Sequence, residues 1–175
     1  MQRLRVPCGF LLLIAFGWLS EPSHISMLMG IPISLLGLIL RGWASGHLAK
    51  DQQLATSGPY SYIRNPLYAG TLIAALGVVI ASRSISLGLV FVGAFGLIYL
   101  PAIELEEQHL SEIFPDYISY ASQIRRFLPV HHIPGTNRRF SWALYRRNEE
   151  YKAALGFLIA LGWLFWRCWL AETVT

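Results

Sequence analysis

The chain has 175 residues, enough for one domain, and a formal net charge of +4. Hydrophobic residues make up 54% of it and charged residues only 14%, whereas about a quarter of a typical soluble domain is charged. This composition excludes an ordinary soluble protein and predicts a single integral membrane domain over residues 1–175. No basic stripe or motif accompanies the positive charge, so we expect no nucleic-acid partner.

Charge-free apolar runs predict an all-α fold, a bundle of about five transmembrane helices at residues 6–20, 25–41, 67–82, 85–103 and 153–170. The first run follows Arg3 and Arg5 and resembles the core of a signal peptide. Because Glu21 and Pro22 interrupt the place where a small-residue cleavage site would lie, we interpret this run as a retained helix. Its removal as a signal peptide is the alternative.

The third and fourth runs are separated only by residues 82–84 and therefore form a tight helical hairpin. If the amino terminus is cytoplasmic, five spans leave 12 of the 14 Lys and Arg residues on the cytoplasmic side, with Arg83 and Arg167 outside. The positive-inside rule favours this orientation. It also places the two polar stretches that flank the hairpin on the cytoplasmic side, because two spans separate them.

The first of these stretches, Leu54 to Gly70, is rich in turn-forming residues. Its Asn65-Pro66 step disfavours helix at residue 65 and places proline in the first turn of the third helix. The amides of such a helix start can bind a carboxylate or phosphate, and Arg64 adds a planar cation beside them. An interfacial loop whose Arg64 contacts lipid phosphate is the alternative.

The second stretch contains Glu104, Glu106 and Glu107, where the fourth run ends. On a helix, Glu106 and Glu107 point about 100° apart. Carboxylates near a bilayer usually have a partner or a function. Here one could accept hydrogen bonds from ribose hydroxyls or complement a sulfonium. A solvated acidic exit from the membrane is the alternative.

Together the two stretches carry a family pattern. Thr56-Ser-Gly-Pro-Tyr60 and Arg64-Asn-Pro-Leu-Tyr-Ala-Gly70 precede the apolar hairpin, and Glu106-Glu107-x-x-Leu110-x-x-x-Phe114 follows it. This pattern resembles the isoprenylcysteine carboxyl methyltransferases and the related phospholipid methyltransferases, which are integral membrane enzymes that use S-adenosylmethionine. The resemblance runs from about Gln52 to Pro129.

The resemblance implies a cofactor site between the polar stretch and the glutamates, with S-adenosylhomocysteine as the product. It implies cofactor-binding roles for the residues at the motif positions: Gln52, Gln53, Leu54, Ala55, Tyr60, Asn65, Pro66, Leu67, Tyr68, Gly70, Glu106 and Glu107. We expect Arg64 to orient a carboxylate or phosphate and Glu106 to hold the polar part of the cofactor. These two residues are the catalytic candidates.

The sequence departs from the family pattern at three places. Asn65 stands where the motif usually has His, so no histidine general base is available there. Ala102 stands where eukaryotic members have an Arg thought to grip the substrate carboxylate, which weakens the case for a prenylcysteine acceptor. The downstream Phe-Gly-x-x-Tyr pattern is one residue shorter here, from Phe114 to Tyr117, and leaves Tyr117 and Tyr120 as further candidates.

The cysteine and histidine spacing predicts no metal site. Cys8 and Cys168 lie in apolar runs near opposite ends of the chain, and we interpret them as packed or lipid-facing thiols. Three histidines lack a Cys or carboxylate at ligand spacing and are interpreted as interfacial or solvated: His109, His131 and His132. We interpret the Arg pairs after residue 104 as contacts with anionic lipids, and Arg125 as the member that could reach the cofactor.

The predicted function is S-adenosylmethionine-dependent methyl transfer to a lipophilic, membrane-borne acceptor, such as the carboxylate, amine or thiol of a lipid or isoprenoid-like molecule. The cofactor would enter from the cytosol and the acceptor from the bilayer. Two alternatives stay open. One is a membrane reductase with a nicotinamide cofactor on a similar helical scaffold, and the other is a non-catalytic scaffold with a degenerate site. The sequence predicts no oligomeric state.

Overall fold

A computed structural model describes residues 14–129 and 138–174 of the chain. Residues 14–19 are helical, and six labelled helices follow. They are α1 (His24–Ser45), α2 (Pro66–Ser82), α3 (Ile85–Ile113), α4 (Tyr117–Gln123), α5 (Trp142–Arg147) and α6 (Tyr151–Val174), with a 3₁₀ turn at Gly58–Ser61. The described ranges contain no strand. The predicted all-α fold is confirmed.

Three of these helices, α1, α3 and α6, are long and apolar enough to cross a membrane. The fourth apolar helix, α2, has 17 residues and a length of about 26 Å, slightly less than the hydrocarbon core of a typical bilayer. Each of these helices contains the corresponding predicted span. The predicted span at 6–20 lies mostly outside the described residues, of which 14–19 are helical.

The ends of α1 and α2 follow from local sequence signals. Ser23 caps α1 through a reciprocal pair of hydrogen bonds with Ser26. Asn65, at φ −122° and ψ 61°, precedes α2, which begins at Pro66 as predicted. Arg83 ends α2 in the left-handed conformation, at φ 53°, so the predicted hairpin turn occurs within three residues.

Close approach of α1 and α2 depends on small residues along both helices. A side chain at Gly77 would overlap Ser34 and the Gly30 backbone, and one at Gly37 would overlap the Ala74 backbone. The Ser34 hydroxyl donates a hydrogen bond of 2.8 Å to the carbonyl of Ala74. The two helices therefore form a rigid antiparallel pair on which the rest of the bundle is arranged.

The third membrane helix, α3, contacts α2 only sparsely. Only Leu87 and Ile103 are buried along its 29 residues, and a π-helical turn at Phe95–Tyr99 interrupts its α-helical geometry. The helix also continues beyond the predicted end at residue 103 to Ile113. The glutamate cluster at residues 104–107 therefore lies on this helical extension, beyond the apolar part of α3.

The segment after residue 138 closes the end of α1. The Ser141 amide donates to the carbonyl of Gly46 at 2.9 Å, and the Asn148 side chain donates to the carbonyls of Ser45 and Leu48, both at 2.9 Å. Carbonyls at a helix end lack intrahelical donors, so these bonds satisfy groups that would otherwise need water.

Candidate functional site

A cleft of about 500 Å³ lies between the polar stretch and α3. That volume is in the range of sites for small molecules and cofactors. Ten of the residues predicted for the site line it: Gln53, Leu54, Ala55, Tyr60, Arg64, Asn65, Pro66, Leu67, Tyr68 and Glu106. The fold therefore brings two stretches about forty residues apart into one concave surface.

Three predicted site residues lie outside this lining. The Gln52 side chain lies beside the guanidinium of Arg147, whose two terminal nitrogens are 3.0 and 2.9 Å from its amide oxygen in the orientation that satisfies both groups. Gly70 packs against Gly37 and Arg41 in the α1–α2 contact. Glu107 turns away from the cleft into an ion-pair network.

The polar wall of the cleft is a hydrogen-bonded pair from two different helices. The Tyr68 hydroxyl, in the first turn of α2, donates to the Glu106 carboxylate on α3 at 2.7 Å. Amides in the first turn of a helix have no intrahelical acceptors, and Leu67 and Tyr68 bring that turn to the cleft. The wall therefore combines a carboxylate with a helix start, two features that suit opposite charges on a ligand.

The guanidinium of Arg64 is directed at the backbone at the end of α4. It donates to the carbonyl of Ala121 at 2.6 Å and to that of Ile124 at 3.1 and 2.8 Å. The Arg64 amide also donates to the carbonyl of Arg125 at 2.9 Å. Arg64 therefore joins the polar stretch to the segment after α4, and Arg125 takes part through its backbone.

Glu107 is the acceptor at the centre of this junction. Its carboxylate receives hydrogen bonds from Asn65 at 2.7 Å and from Arg126 at 2.8 and 3.2 Å, and it pairs with Arg64 at 3.4 Å. The Glu107 side chain is only 11% exposed. The hydrogen bonds that Arg126 donates to Glu107 raise the pKa of Arg126 above its ordinary value. Asn65, which stands where the family usually has His, thus donates from its side-chain amide to the carboxylate of Glu107 and helps to fix its position.

A cluster of aromatic rings packs against Tyr68, next to the lining of the cleft. The π-helical turn of α3 presents Tyr99 edge-on to Tyr68, at a centroid distance of 6.2 Å, and stacks it on Phe95 at 5.6 Å. Phe127 packs against Phe95 at 6.1 Å. π-Helical turns occur frequently at functional sites because they re-aim side chains. Nothing in the spacing of the apolar run predicted this one.

Three tyrosines line the deep side of the cleft and stay neutral. The Tyr120 hydroxyl donates to the carbonyl of Tyr60 at 2.9 Å. Burial raises the pKa of Tyr60 and of Tyr120 well above the ordinary value, and burial together with the nearby Glu107 raises the pKa of Tyr117 to about 12. Tyr120 therefore lies in the site as a hydrogen-bonding phenol, and Tyr117 contributes a neutral, buried ring.

Behind the polar stretch, His47 supports the turn that begins the 3₁₀ segment. Its Nδ1 lies 2.9 Å from the Ser57 hydroxyl, and the ring packs against Gly58, whose positive φ of 59° and lack of a Cβ permit this approach. Burial, and secondarily the charge of Arg138, lowers the pKa of His47. The neutral imidazole thus stabilises the turn at Ser57 and Gly58, which positions Tyr60 in the cleft.

Several lining residues were not predicted from the sequence. They come from the turn after α1, from the π-helical turn of α3 and from its extension: Leu48, Lys50, Asp51, Leu97, Ile98, Leu105 and His109. His109 lies 3.7 Å from Asp51, so an exposed pair closes the outer rim. The leucine and phenylalanine of the glutamate motif, Leu110 and Phe114, also line the cleft. Extending the helical period beyond the last apolar residue could have identified this face.

The cleft lies almost entirely inside the region that resembles known proteins. Residues 31–117 match the sequence profile of the phospholipid methyltransferase family. This chain is a member of that family. The matched region begins within α1 and ends at the start of α4, so it includes the polar wall, the hairpin and the glutamate pair.

Three curated relatives of this phospholipid methyltransferase family member carry two kinds of name. The cobalt-zinc-cadmium resistance protein CzcN of Cupriavidus metallidurans is 32% identical over 114 residues, which cover 64% of this chain and 51% of CzcN. The nickel-cobalt-cadmium resistance protein NccN of Alcaligenes xylosoxydans xylosoxydans is 31% identical over 114 residues, which cover 64% of this chain and 52% of NccN. Phosphatidylethanolamine N-methyltransferase B of Dictyostelium discoideum is 31% identical over 109 residues, which cover 53% of this chain and 52% of that protein.

The chain spans about half the length of these curated relatives. No solved structure matches it.

Proposed function

We propose that the chain transfers a methyl group from S-adenosylmethionine to a lipophilic acceptor held in the membrane. The observation that carries this proposal is the cleft in which the start of α2 faces Glu106, inside the region that matches the phospholipid methyltransferase family. The single-domain organisation, the cytoplasmic amino terminus and the cytoplasmic cleft are parts of the same proposal.

The lining suits the parts of the proposed cofactor. Leu54 and Leu67 offer apolar walls for an adenine, and the amides at the start of α2 suit a carboxylate. Glu106, oriented by Tyr68, suits ribose hydroxyls or an ammonium group. When bound, the cofactor's sulfonium supplies an electrophilic methyl group.

Access for a lipophilic acceptor is proposed between α2 and α3. These helices contact each other sparsely, and Leu97, which lines the cleft, is 81% exposed on α3. Ala102, on the same helix, also lines the cleft and contributes no charge to it. A membrane-borne acceptor could therefore reach the cleft from the bilayer without passing through water, and the site offers it no cation at residue 102.

The protein's own contribution is mainly alignment and exclusion of water. Tyr60, Tyr117 and Tyr120 form a wall that stays neutral at ordinary pH. Asn65 cannot titrate near neutrality, so a carboxylate acceptor would react without a base and an amine acceptor would enter already deprotonated. Arg64 acts in this proposal as a positioning residue, because its guanidinium is hydrogen-bonded to backbone carbonyls.

Cofactor-induced thermal shifts test the proposal against a reductase. The purified full chain in detergent is heated with S-adenosylhomocysteine or with NADPH. We expect S-adenosylhomocysteine, and not NADPH, to raise the melting temperature. A ligand that binds only the folded state stabilises that state. A shift with NADPH alone would favour the reductase, and no shift with either would favour a non-catalytic scaffold.

We also propose that the reaction contributes to tolerance of cobalt, zinc or cadmium, because two relatives are named as metal resistance proteins. Growth of a metal-sensitive bacterium producing the wild-type chain is compared with growth of the same strain producing Glu106→Ala. Higher cadmium tolerance with the wild type supports this second proposal. Equal tolerance contradicts it.

A further inference from the structure

Three side chains with metal-binding atoms meet at the end of the bundle opposite the cleft. His24 is the first residue of α1, and Cys168 and Glu172 lie one turn apart on α6. Ser26, in the first turn of α1, donates to the carbonyl of Ala81 at the far end of α2. Because α2 begins at the cleft, the three side chains lie roughly 20 Å from it.

The three potential ligand atoms are grouped closely, although their present separations are not those of ligands on one ion. The His24 imidazole, the Cys168 sulfur and a Glu172 oxygen all lie within 4.8 Å of one another. Cys168 Sγ is 3.9 Å from His24 Nε2, and the same Nε2 contacts the Glu172 carboxylate directly. Ligand atoms on a tetrahedral zinc ion lie about 3.3 to 3.6 Å apart, given bonds of about 2.0 to 2.3 Å. Metal binding therefore requires the three side chains to move by about 1 Å from their present positions.

Two of the three side chains are exposed to solvent, and the cysteine is buried. The side chains of His24 and Glu172 are 73% and 56% exposed, whereas Cys168 is 4% exposed. The sulfur belongs to an apolar cluster with Met27, Ala81 and Leu164. A cation could therefore arrive through the imidazole and the carboxylate and be held on its inner side by sulfur.

We propose that this triad binds a divalent transition metal ion with affinity for sulfur, of the Zn²⁺ class. Imidazole nitrogen, thiolate sulfur and carboxylate oxygen are the ligand types of zinc sites, and three protein ligands leave one position open. Binding converts the Cys168 thiol to a thiolate, and its proton passes to the solvent. The ion would join the start of α1 to the end of α6, and the site is independent of the proposed methyl transfer.

The sequence predicted no metal site because the contributing residues are far apart along the chain. His24 and Cys168 are separated by 144 positions, and only the packing of α1 against α6 brings them together. Cys168 and Glu172 alone, at helical spacing, have no specificity as a motif.

Cobalt substitution tests the proposal with the purified, tag-free full chain in detergent. Co²⁺ is added, and the near-ultraviolet charge-transfer band of a cobalt–thiolate bond is recorded. We expect one equivalent to produce the band, Zn²⁺ to displace it, and Cys168→Ser to abolish it. Cys8→Ser, which changes the other cysteine of the chain, is the matched control and should keep the band.

Further variants keep the test decisive if Cys168→Ser unfolds. His24→Ala and Glu172→Gln alter largely exposed side chains and should weaken Co²⁺ binding at least tenfold, while binding of S-adenosylhomocysteine stays unchanged. The proposal is overturned if the wild type gives no thiolate band. It is also overturned if the band survives in folded Cys168→Ser, or if folded His24→Ala binds Co²⁺ as tightly as the wild type.

Discussion

Glu106 and Glu107 are consecutive in the chain, yet their carboxylates have different surroundings. Glu106 faces the cleft and accepts a hydrogen bond of 2.7 Å from Tyr68. Glu107 is held outside the cleft lining by Asn65, Arg64 and Arg126. Because successive helical residues point about 100° apart, one glutamate can serve a ligand while the other fixes the loops that form the site.

Glu106→Ala should weaken S-adenosylhomocysteine binding without unfolding the bundle. Hydrogen bonds to a charged group contribute about 1.5–3 kcal/mol, so we expect the dissociation constant to rise about ten- to a hundredfold. Calorimetric titration measures it. Glu104→Ala, on the same helix but 60% exposed and outside the cleft lining, is the control. Unchanged binding in Glu106→Ala would remove this residue from the site.

Glu107→Gln should lower stability more than Glu106→Ala does. The substitution keeps the side-chain shape but removes the charge that Arg64 and Arg126 share, so that, among the described residues, Arg126 keeps only Glu104, at 3.7 Å. Breaking a fully buried pair costs about 3–5 kcal/mol. Since the Arg126 side chain is 37% exposed, we expect about 1–2 kcal/mol here. Thermal unfolding in detergent measures the difference, and equal melting temperatures for the two variants would contradict the assignment.

Ala102→Leu should impair turnover while leaving cofactor affinity nearly unchanged. The added atoms would occupy the lining near Leu97, on the proposed acceptor side. A small displacement of a reactant can lower the rate by roughly tenfold or more. Gly93→Leu is the control, because a side chain there would meet nothing within 4 Å. If Ala102→Leu instead abolished binding of S-adenosylhomocysteine and Gly93→Leu did not, residue 102 would lie in the cofactor-binding part of the cleft.

The protein should lose stability as the pH falls, in part through His47. In the folded state, burial lowers the pKa of His47 below its ordinary value of 6.5. As the pH falls, the unfolded chain therefore binds a proton at this histidine before the folded chain does. The stability contributed by the neutral ring is therefore present above about pH 6.5 and is lost as the pH falls through the folded-state pKa. Melting temperatures at about pH 7.5 and pH 5.5 measure this loss. His47→Gln should reduce the difference, and an identical pH dependence in that variant would contradict the prediction.

Gly77→Val should destabilise the bundle strongly, because the added carbons would overlap Ser34 and the backbone of Gly30. Overpacking costs about 1–3 kcal/mol in well-packed interiors. Gly156→Val, on α6 where a side chain meets nothing within 4 Å, carries the same change in helix propensity. The difference between the melting temperatures of the two variants therefore measures the packing effect. Equal melting temperatures would contradict the prediction.

The helices could be predicted from the sequence because their signals are local. The Asn65-Pro66 step sets the start of α2, and Ser84 caps α3 within three residues of the end of α2. The end of α3 was missed because its apolar run stops at Ile103 while the helix continues as an amphipathic segment to Ile113. Apolar length identifies the membrane part of a helix but does not reveal such an extension.

The site was predictable in position and less so in detail. The motif brought the polar stretch and the glutamates together, but the helical period could not say which glutamate faces the cleft. The contacts of Arg64 with Ala121 and Ile124 span 57 and 60 positions and depend on how α4 packs, for which the sequence carries no local signal. The same holds for the meeting of His24 with Cys168.

Methyl transfer itself is the most direct test of the central claim, which is that the cleft serves a methyltransferase with a lipophilic acceptor. The purified full chain is incubated with methyl-labelled S-adenosylmethionine and a total lipid extract, and the organic phase is counted and resolved. We expect label in a lipid-soluble product with the wild type and a strongly reduced amount with Glu106→Ala. Absence of label in any lipid-soluble product, from wild-type protein that remains folded and binds S-adenosylhomocysteine, would contradict the account.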